Sequence, residues 1–218
     1  MDDIKVNQNP KLGSLDRPNS YIGRSLPREN AKKHLDGGGQ FVDDLTLPRM
    51  VHVAFLRSPF AHAEIKSINT NDAKKSDGVV DVFTAKEIDE VCKPWIGTLG
   101  HLGEMRSPEQ TPLAKKIARW QGEPVAVVIA DSRAQAEDAL ELIEVDWAEK
   151  EAQVDMETAL DSNALVIHPE LGNNLFWTRT VNQGDVEKAF KEADAVVETT
   201  LDFARHTGVT LESRGIVA

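Results

Sequence analysis

Three features of the sequence predict a mixed α/β fold. Residues 124–130, PVAVVIA, form a continuous apolar run, as expected of a strand covered on both faces. Ala136, Ala139, Leu140 and Ile143 then recur at i, i+3, i+4 and i+7, which is one face of a helix. Val145, Asp146 and Trp147 read as a returning strand, so a strand–helix–strand unit occupies the centre of the chain.

The remaining elements follow in order. Residues 1–21 are polar, rich in Asn, Pro, Ser and Asp, and have no apolar period; a flexible arm is expected, with the globular part starting near Ile22. Residues 34–44, HLDGGGQFVDD, carry a glycine triplet and an acidic pair, the composition of a turn. Residues 50–56, MVHVAFL, suit a strand that Ser58 and Pro59 break. Residues 63–68 alternate apolar and polar, the mark of a half-buried strand, and residues 78–83 give another. Thr84 and Glu87 have the capping-box spacing, so a short helix should follow. Residues 93–112 hold Gly and Pro without a period and predict a long excursion, a kind of loop that is often functional or flexible. Ser132 and Gln135 repeat the capping-box pattern ahead of a helix over 133–144. Residues 159–177, rich in Asn and Pro, read as a linker, with a domain boundary between 165 and 180. Asp185 is a fitting N-cap for a helix bearing Val186, Ala189, Phe190 and Ala193, and residues 195–203, AVVETTLDF, predict a strand.

Composition narrows the function. A chain of 218 residues can bury a core without staples. With 25 Lys and Arg against 36 Asp and Glu, the net charge of −11 argues against a nucleic-acid or anionic-membrane partner. The single cysteine, Cys92, cannot close an internal disulfide, and a zinc or iron–sulfur cage needs more ligands of its kind. The start of the chain has no apolar signal-peptide core, and no apolar run approaches the ~18 residues of a membrane span, so a cytoplasmic address is expected.

No complete active site is legible. Gly37, Gly38 and Gly39 lack the Gly-Lys-Ser/Thr of a P-loop and suit a turn. Gly97, Gly100 and Gly103 lack the strand–turn–helix setting of a dinucleotide site. His34, His52, His62, His101, His168 and His206 show no helical ligand spacing; His62 is expected to pin the start of a strand by hydrogen bonding. Cys92 has no signalled base, and Ser132 caps a helix outside any G-x-S-x-G elbow. Asp43 and Asp44 suit a turn, while Glu137, Asp138, Glu141 and Glu144 suit a solvated helix face. Arg205, His206, Glu212, Ser213 and Arg214 are the densest function-capable set. They follow a strand run, where α/β folds often bind ligands, and their roles stay open at this point.

Four ordered blocks together resemble one family. The first holds Gly39, Phe41-Val42-Asp43-Asp44, Leu47-Pro48, Arg57-Ser58-Pro59 and Ala61-His62-Ala63. The second is Gln121-Gly122-Glu123-Pro124 running through Val128, then Ala136-Glu137-Asp138-Ala139 and Val145-Asp146-Trp147. The third is Gly184-Asp185-Val186 with Ala193-Asp194-Ala195-Val196-Val197, and the fourth is Leu211-Glu212. Together they resemble the start of the large, molybdopterin-binding subunit of the molybdenum hydroxylases: the xanthine dehydrogenase, aldehyde oxidase and carbon monoxide dehydrogenase family. The resemblance implies an a/b hammerhead domain over 22–165, followed over 166–218 by a linker and the start of the first molybdopterin-binding domain. It implies an oxidoreductase that hydroxylates an N-heterocycle or an aldehyde with water-derived oxygen. Electrons then leave through iron–sulfur clusters and FAD in partner subunits.

The family's glycine-rich cofactor loop, substrate-facing residues and catalytic Glu are expected beyond residue 218. No residue here is therefore assigned to catalysis, cofactor or metal, and Glu212 is expected to be structural. Cys92 does not match the cysteine that some members place beside molybdenum. The last residues, LESRGIVA, rise in hydrophobicity without a breaker, as in a chain cut inside a strand. The expectation is an N-terminal piece or split subunit, inactive alone. Its partners would be the remaining molybdopterin-binding polypeptide, an iron–sulfur subunit and an FAD subunit. The alternatives are a non-catalytic binding module on the same fold and the equivalent piece of a carbon monoxide dehydrogenase. A hydrolase using Ser132, His206 or Cys92 lacks an activated nucleophile.

Overall fold

The computed structural model describes residues 28, 31–204, 206–210 and 212–218. The arm expected over 1–21, the start at Ile22, Arg205 and Leu211 lie outside the described residues. In chain order the elements are α1 (Ala31–Leu35), β1 (His52–Arg57), β2 (Ala63–Asn69), β3 (Val79–Thr84), α2 (Ala85–Ile88), β4 (Trp95–Ile96), β5 (Glu109–Gln110), β6 (Ile117–Ala118), β7 (Pro124–Ala130), α3 (Arg133–Leu140), β8 (Glu144–Glu149) and α4 (Val186–Glu192). Contacts gather them into two units, Pro48–Leu201 and the described residues up to Leu47 together with Asp202–Ala218.

Strand β7 organises the larger unit. It lies between β1 and β3, a second sheet runs β6-β2-β8, and β4 and β5 form a short ribbon. Every pairing among the described residues is antiparallel. The expected strand–helix–strand succession is present, but β7 and β8 fall in different sheets, so it is no single-sheet crossover.

The apolar run of β7 is covered on both faces, as its composition demands. Ala126, Val128 and Ala130 join Ala54, Val82, Ala136, Ala139 and Ile143 in one cluster beneath α3. The small Ala136 and Ala139 let the α3 backbone approach the sheet closely. On the other face Val127 packs with Leu113 and Ala85, and Val125 with Ile65 and Ala114. Leu140 is half-buried at the margin of the α3 cluster.

The Thr84 capping box forms, and Ser132 caps its helix without the reciprocal backbone bond. The Thr84 N–H and hydroxyl donate to Glu87 Oε2 at 2.8 and 2.6 Å. Ser132 Oγ accepts from Gln135 N at 3.3 Å and donates to Gln135 Oε1 at 2.7 Å. The α3 helix ends at Leu140 rather than 144, and turn hydrogen bonds from Leu142 N to Ala139 O and Ile143 N to Leu140 O carry the chain into β8.

Of the last two expected elements one forms and one does not. Helix α4 forms behind its Asp185 cap, but its apolar face is exposed at Val186 and Phe190. Residues 195–203 form no strand. A strand needs a neighbour for its N–H and C=O groups, and no described strand pairs with these residues. Val197 and Leu201 are left 88% and 86% exposed.

Candidate functional site

The long excursion and the linker meet. A cleft of about 300 Å³ lies between Gly97, Ser107, Pro108 and Gln110 on one wall and Ile167, His168, Leu171 and residues 173–176 on the other. Local chemistry shapes each wall. The β4–β5 ribbon pairs Trp95 with Gln110, and a Cβ on Gly97 would stand 2.9 Å from Gln110 Nε2, so glycine admits that side chain. Opposite, Pro169–Leu171 makes a 3-10 turn that ends at Gly172, whose φ of +80° suits glycine.

Asn174 ties this second wall to itself. Its Nδ2 donates to Ala159 O and Leu165 O at 2.9 and 2.8 Å, and its Oδ1 accepts from Ile167 N at 2.9 Å. Arg106 ties the walls together through Leu171 O, Asn173 Oδ1 and Leu175 O. Residues 159–177, expected as a linker, are anchored by these bonds. The signal missed in the sequence was a lone Arg amid Gly and Pro, and its partners lie roughly 65 residues away along the chain.

His168 Nδ1 donates to Glu170 Oε1 at 3.1 Å. The Glu170 carboxyl is held below its ordinary value, first by its own backbone N–H and further by His168, against the opposing effect of desolvation. The cleft wall carries no Lys or Arg, and no three His, Cys, Asp or Glu among the described residues converge as a metal site. This lining does not fit a metal-bearing pterin with its phosphate, so no reaction step is routed through it.

The other sequence candidates are not among the residues that line the cleft. Cys92 is exposed. Gly37 takes a φ of +73°, and a Cβ on Gly39 would stand 2.5 Å from the His34 ring, so the triplet serves a turn. Asp44 Oδ2 accepts from Phe41 N at 2.9 Å in the turn expected of the acidic pair. His62 Nδ1 donates to Glu151 O at 2.5 Å, pinning the start of β2 as expected. His206 stacks edge-on against Phe203 at 5.0 Å and is exposed. Ser132 is spent on its cap.

The blocks that carry the family resemblance meet one another. Arg57 Nη1 donates to Gly122 O at 2.9 Å, Ser58 N to Glu123 O at 2.8 Å, and Gly122 N back to Ser58 O at 2.8 Å. The first and second blocks therefore lock the turn after β1 to the turn before β7. Val42 N donates to Glu212 Oε1 at 3.0 Å, and a Cβ on Gly215 would stand 2.8 Å from Val42. Glu212 is thus an acceptor for the 3-10 turn Val42–Asp44.

Comparison with known proteins agrees with this arrangement. Residues 36–151 match the aldehyde oxidase and xanthine dehydrogenase a/b hammerhead domain, and residues 167–218 the molybdopterin cofactor-binding domain. Nicotine 6-hydroxylase large subunit of Paenarthrobacter nicotinovorans is 31% identical over 210 residues, which is 96% of this chain and 26% of that protein. Carbon monoxide dehydrogenase large chain of Hydrogenophaga pseudoflava is 29% identical over 208 residues, 89% of this chain and 25% of that one. The crystal structure of quinoline 2-oxidoreductase from Pseudomonas putida 86 superposes with a TM-score of 0.70 at 36% identity, covering 79% of this chain and 22% of that one. The chain spans about a quarter of the length of the curated relatives it matches. Among the described residues no helix is long and apolar enough to cross a membrane. The hammerhead match, the ordered blocks and the superposition together show that this chain belongs to the aldehyde oxidase and xanthine dehydrogenase family of molybdenum hydroxylases.

Proposed function

We propose that this chain is the supporting lobe of a molybdenum hydroxylase. Residues 22–165 supply the hammerhead, and residues 166–218 begin the cofactor-binding part. The observation that carries this reading is the exposed apolar segment after residue 178. Helix α4 presents Val186 and Phe190 to solvent, and Val196, Val197 and Leu201 stand exposed on a β-branched run without a ladder. Such a surface is costly in water and suits burial against a further polypeptide. The partner is the remaining molybdopterin-binding polypeptide, joined by an iron–sulfur subunit and an FAD subunit in the cytoplasm.

When bound in the assembled enzyme, the molybdenum cofactor supplies a Lewis acid and a two-electron sink. The residues of this chain brace the lobe and position the segment that follows it. The substrate is an N-heterocycle or an aldehyde. Two of the relatives are named for nicotine and quinoline, both nitrogen heterocycles, which supports the first. The carbon monoxide dehydrogenase relative keeps a carbon monoxide oxidase as the second reading.

Purification of the chain alone and with the remaining polypeptide tests the proposal. Elemental analysis should find molybdenum, and an oxidase assay should find turnover of an N-heterocycle, only in the assembled form. Stoichiometric molybdenum in the isolated chain would overturn it.

A further inference from the structure

We propose that Arg106 is a latch that fastens residues 165–177 to the β4–β5 ribbon and holds the two cleft walls in one arrangement. The guanidinium is a planar fork of donors, and here it is spent on one loop. Nη1 donates to Leu171 O at 2.8 Å; Nη2 donates to Asn173 Oδ1 at 2.5 Å and to Leu175 O. The Arg106 backbone N–H donates to Phe176 O at 3.0 Å, and Trp177 Nε1 donates back to Gly103 O at 3.1 Å. The crossing is therefore fastened from both sides.

Two features make the loop a preformed receptor for this side chain. Asn174 closes 159–167 on itself without help from Arg106. Gly172, with its φ of +80°, turns the chain so that the carbonyls of Leu171 and Leu175 both reach the guanidinium. On the ribbon side Glu104 adopts a φ of +63°, a conformation a non-glycine residue takes only when its surroundings hold it there. The side-chain acceptors of Arg106 are all neutral oxygens, so the latch resists salt, whereas an exposed ion pair is screened. Arg106 lies in the first family-matched region, and residues 167–177 open the second. The latch therefore fixes where the second region leaves the first. It is independent of the substrate and partner assignments made above.

Hydrogen exchange on the full 218-residue chain tests the latch. The amides of Ile167, Leu171, Gly172 and Leu175 all have acceptors in the loop and should be protected. Arg106→Gln should speed their exchange about tenfold or more, while amides of β7 keep their protection. Arg106→Lys, with one nitrogen in place of a fork, should recover only part of it. In Arg106→Ala, added methylguanidinium should restore protection; in Asn174→Ala it should not. Raising salt should leave the wild-type pattern unchanged. Unaltered exchange at 167–175 in Arg106→Gln, equal loss of protection in β7, or failure of the guanidinium rescue would each overturn the proposal.

Discussion

Glu87 is the residue whose chemistry most directly sets a measurable property. The Thr84 hydroxyl, first, and the Thr84 backbone N–H hold its carboxyl below the ordinary value of 4.5, against a smaller opposing effect of burial. A carboxyl depressed in the folded state adds stability that is complete above its unfolded value and is lost as pH falls through its folded value. The urea midpoint of Glu87→Gln should therefore lie below that of wild type at neutral pH, and the gap should close as pH drops below about 4.5. A gap constant across pH would refute the role of the charge. Gly78 shows the same density of local demand. Its φ is +73°, its carbonyl accepts from Asp131 N at 2.8 Å, and a Cβ would strike the Gln135 side chain that completes the Ser132 cap. The Thr84 capping box and the Ser132 cap were legible in the sequence because donor and acceptor sit three residues apart. The contact of Glu212 with Val42 was not, because 170 residues separate them.

At the scale of elements, β7 and α3 were the clearest in the sequence; the fold buries β7 along its length and α3 through Ala136 and Ala139. Their signals, a continuous apolar run and a 3.6-residue period, are the residue patterns that packing selects. Leu113 is different. It lies in an aperiodic stretch, yet it is 2% exposed and fills the far face of β7 beside Ala85 and Val127. Leu113→Ala should cost about 2–5 kcal/mol in chemical denaturation. A loss within error would mean that this second core is not formed. Helix α4 and residues 195–203 reverse the case. Their patterns are as regular as those of α3 and β7, yet α4 stays exposed and 195–203 does not form a ladder. A pattern states which face an element can bury, and a neighbour must still be there to cover it.

The whole molecule divides its apolar surface between a closed core and an open segment. The first lies in the β1-β7-β3 and β6-β2-β8 sheets with α3, and the second follows residue 178. If the open segment awaits a partner, replacing Val197 and Leu201 together by Ser should shift the stability of the isolated chain by no more than ~0.5 kcal/mol per site, as exposed positions do. The same pair of changes should abolish co-purification with the remaining molybdopterin-binding polypeptide. A large loss of stability in the isolated chain would place these residues in its own core. The sequence by itself determined the mixed α/β class, the family, the order of the central strands and helix, and the local caps, because each rests on short-range spacing or on ordered blocks. The tertiary structure alone decided that β7 and β8 part into separate antiparallel sheets, that Arg57 and Ser58 lock onto Gly122 and Glu123, and that Arg106 gathers 171–175. Those contacts join residues far apart along the chain. Such partners are chosen by which surfaces meet when the core closes, and no local pattern encodes that.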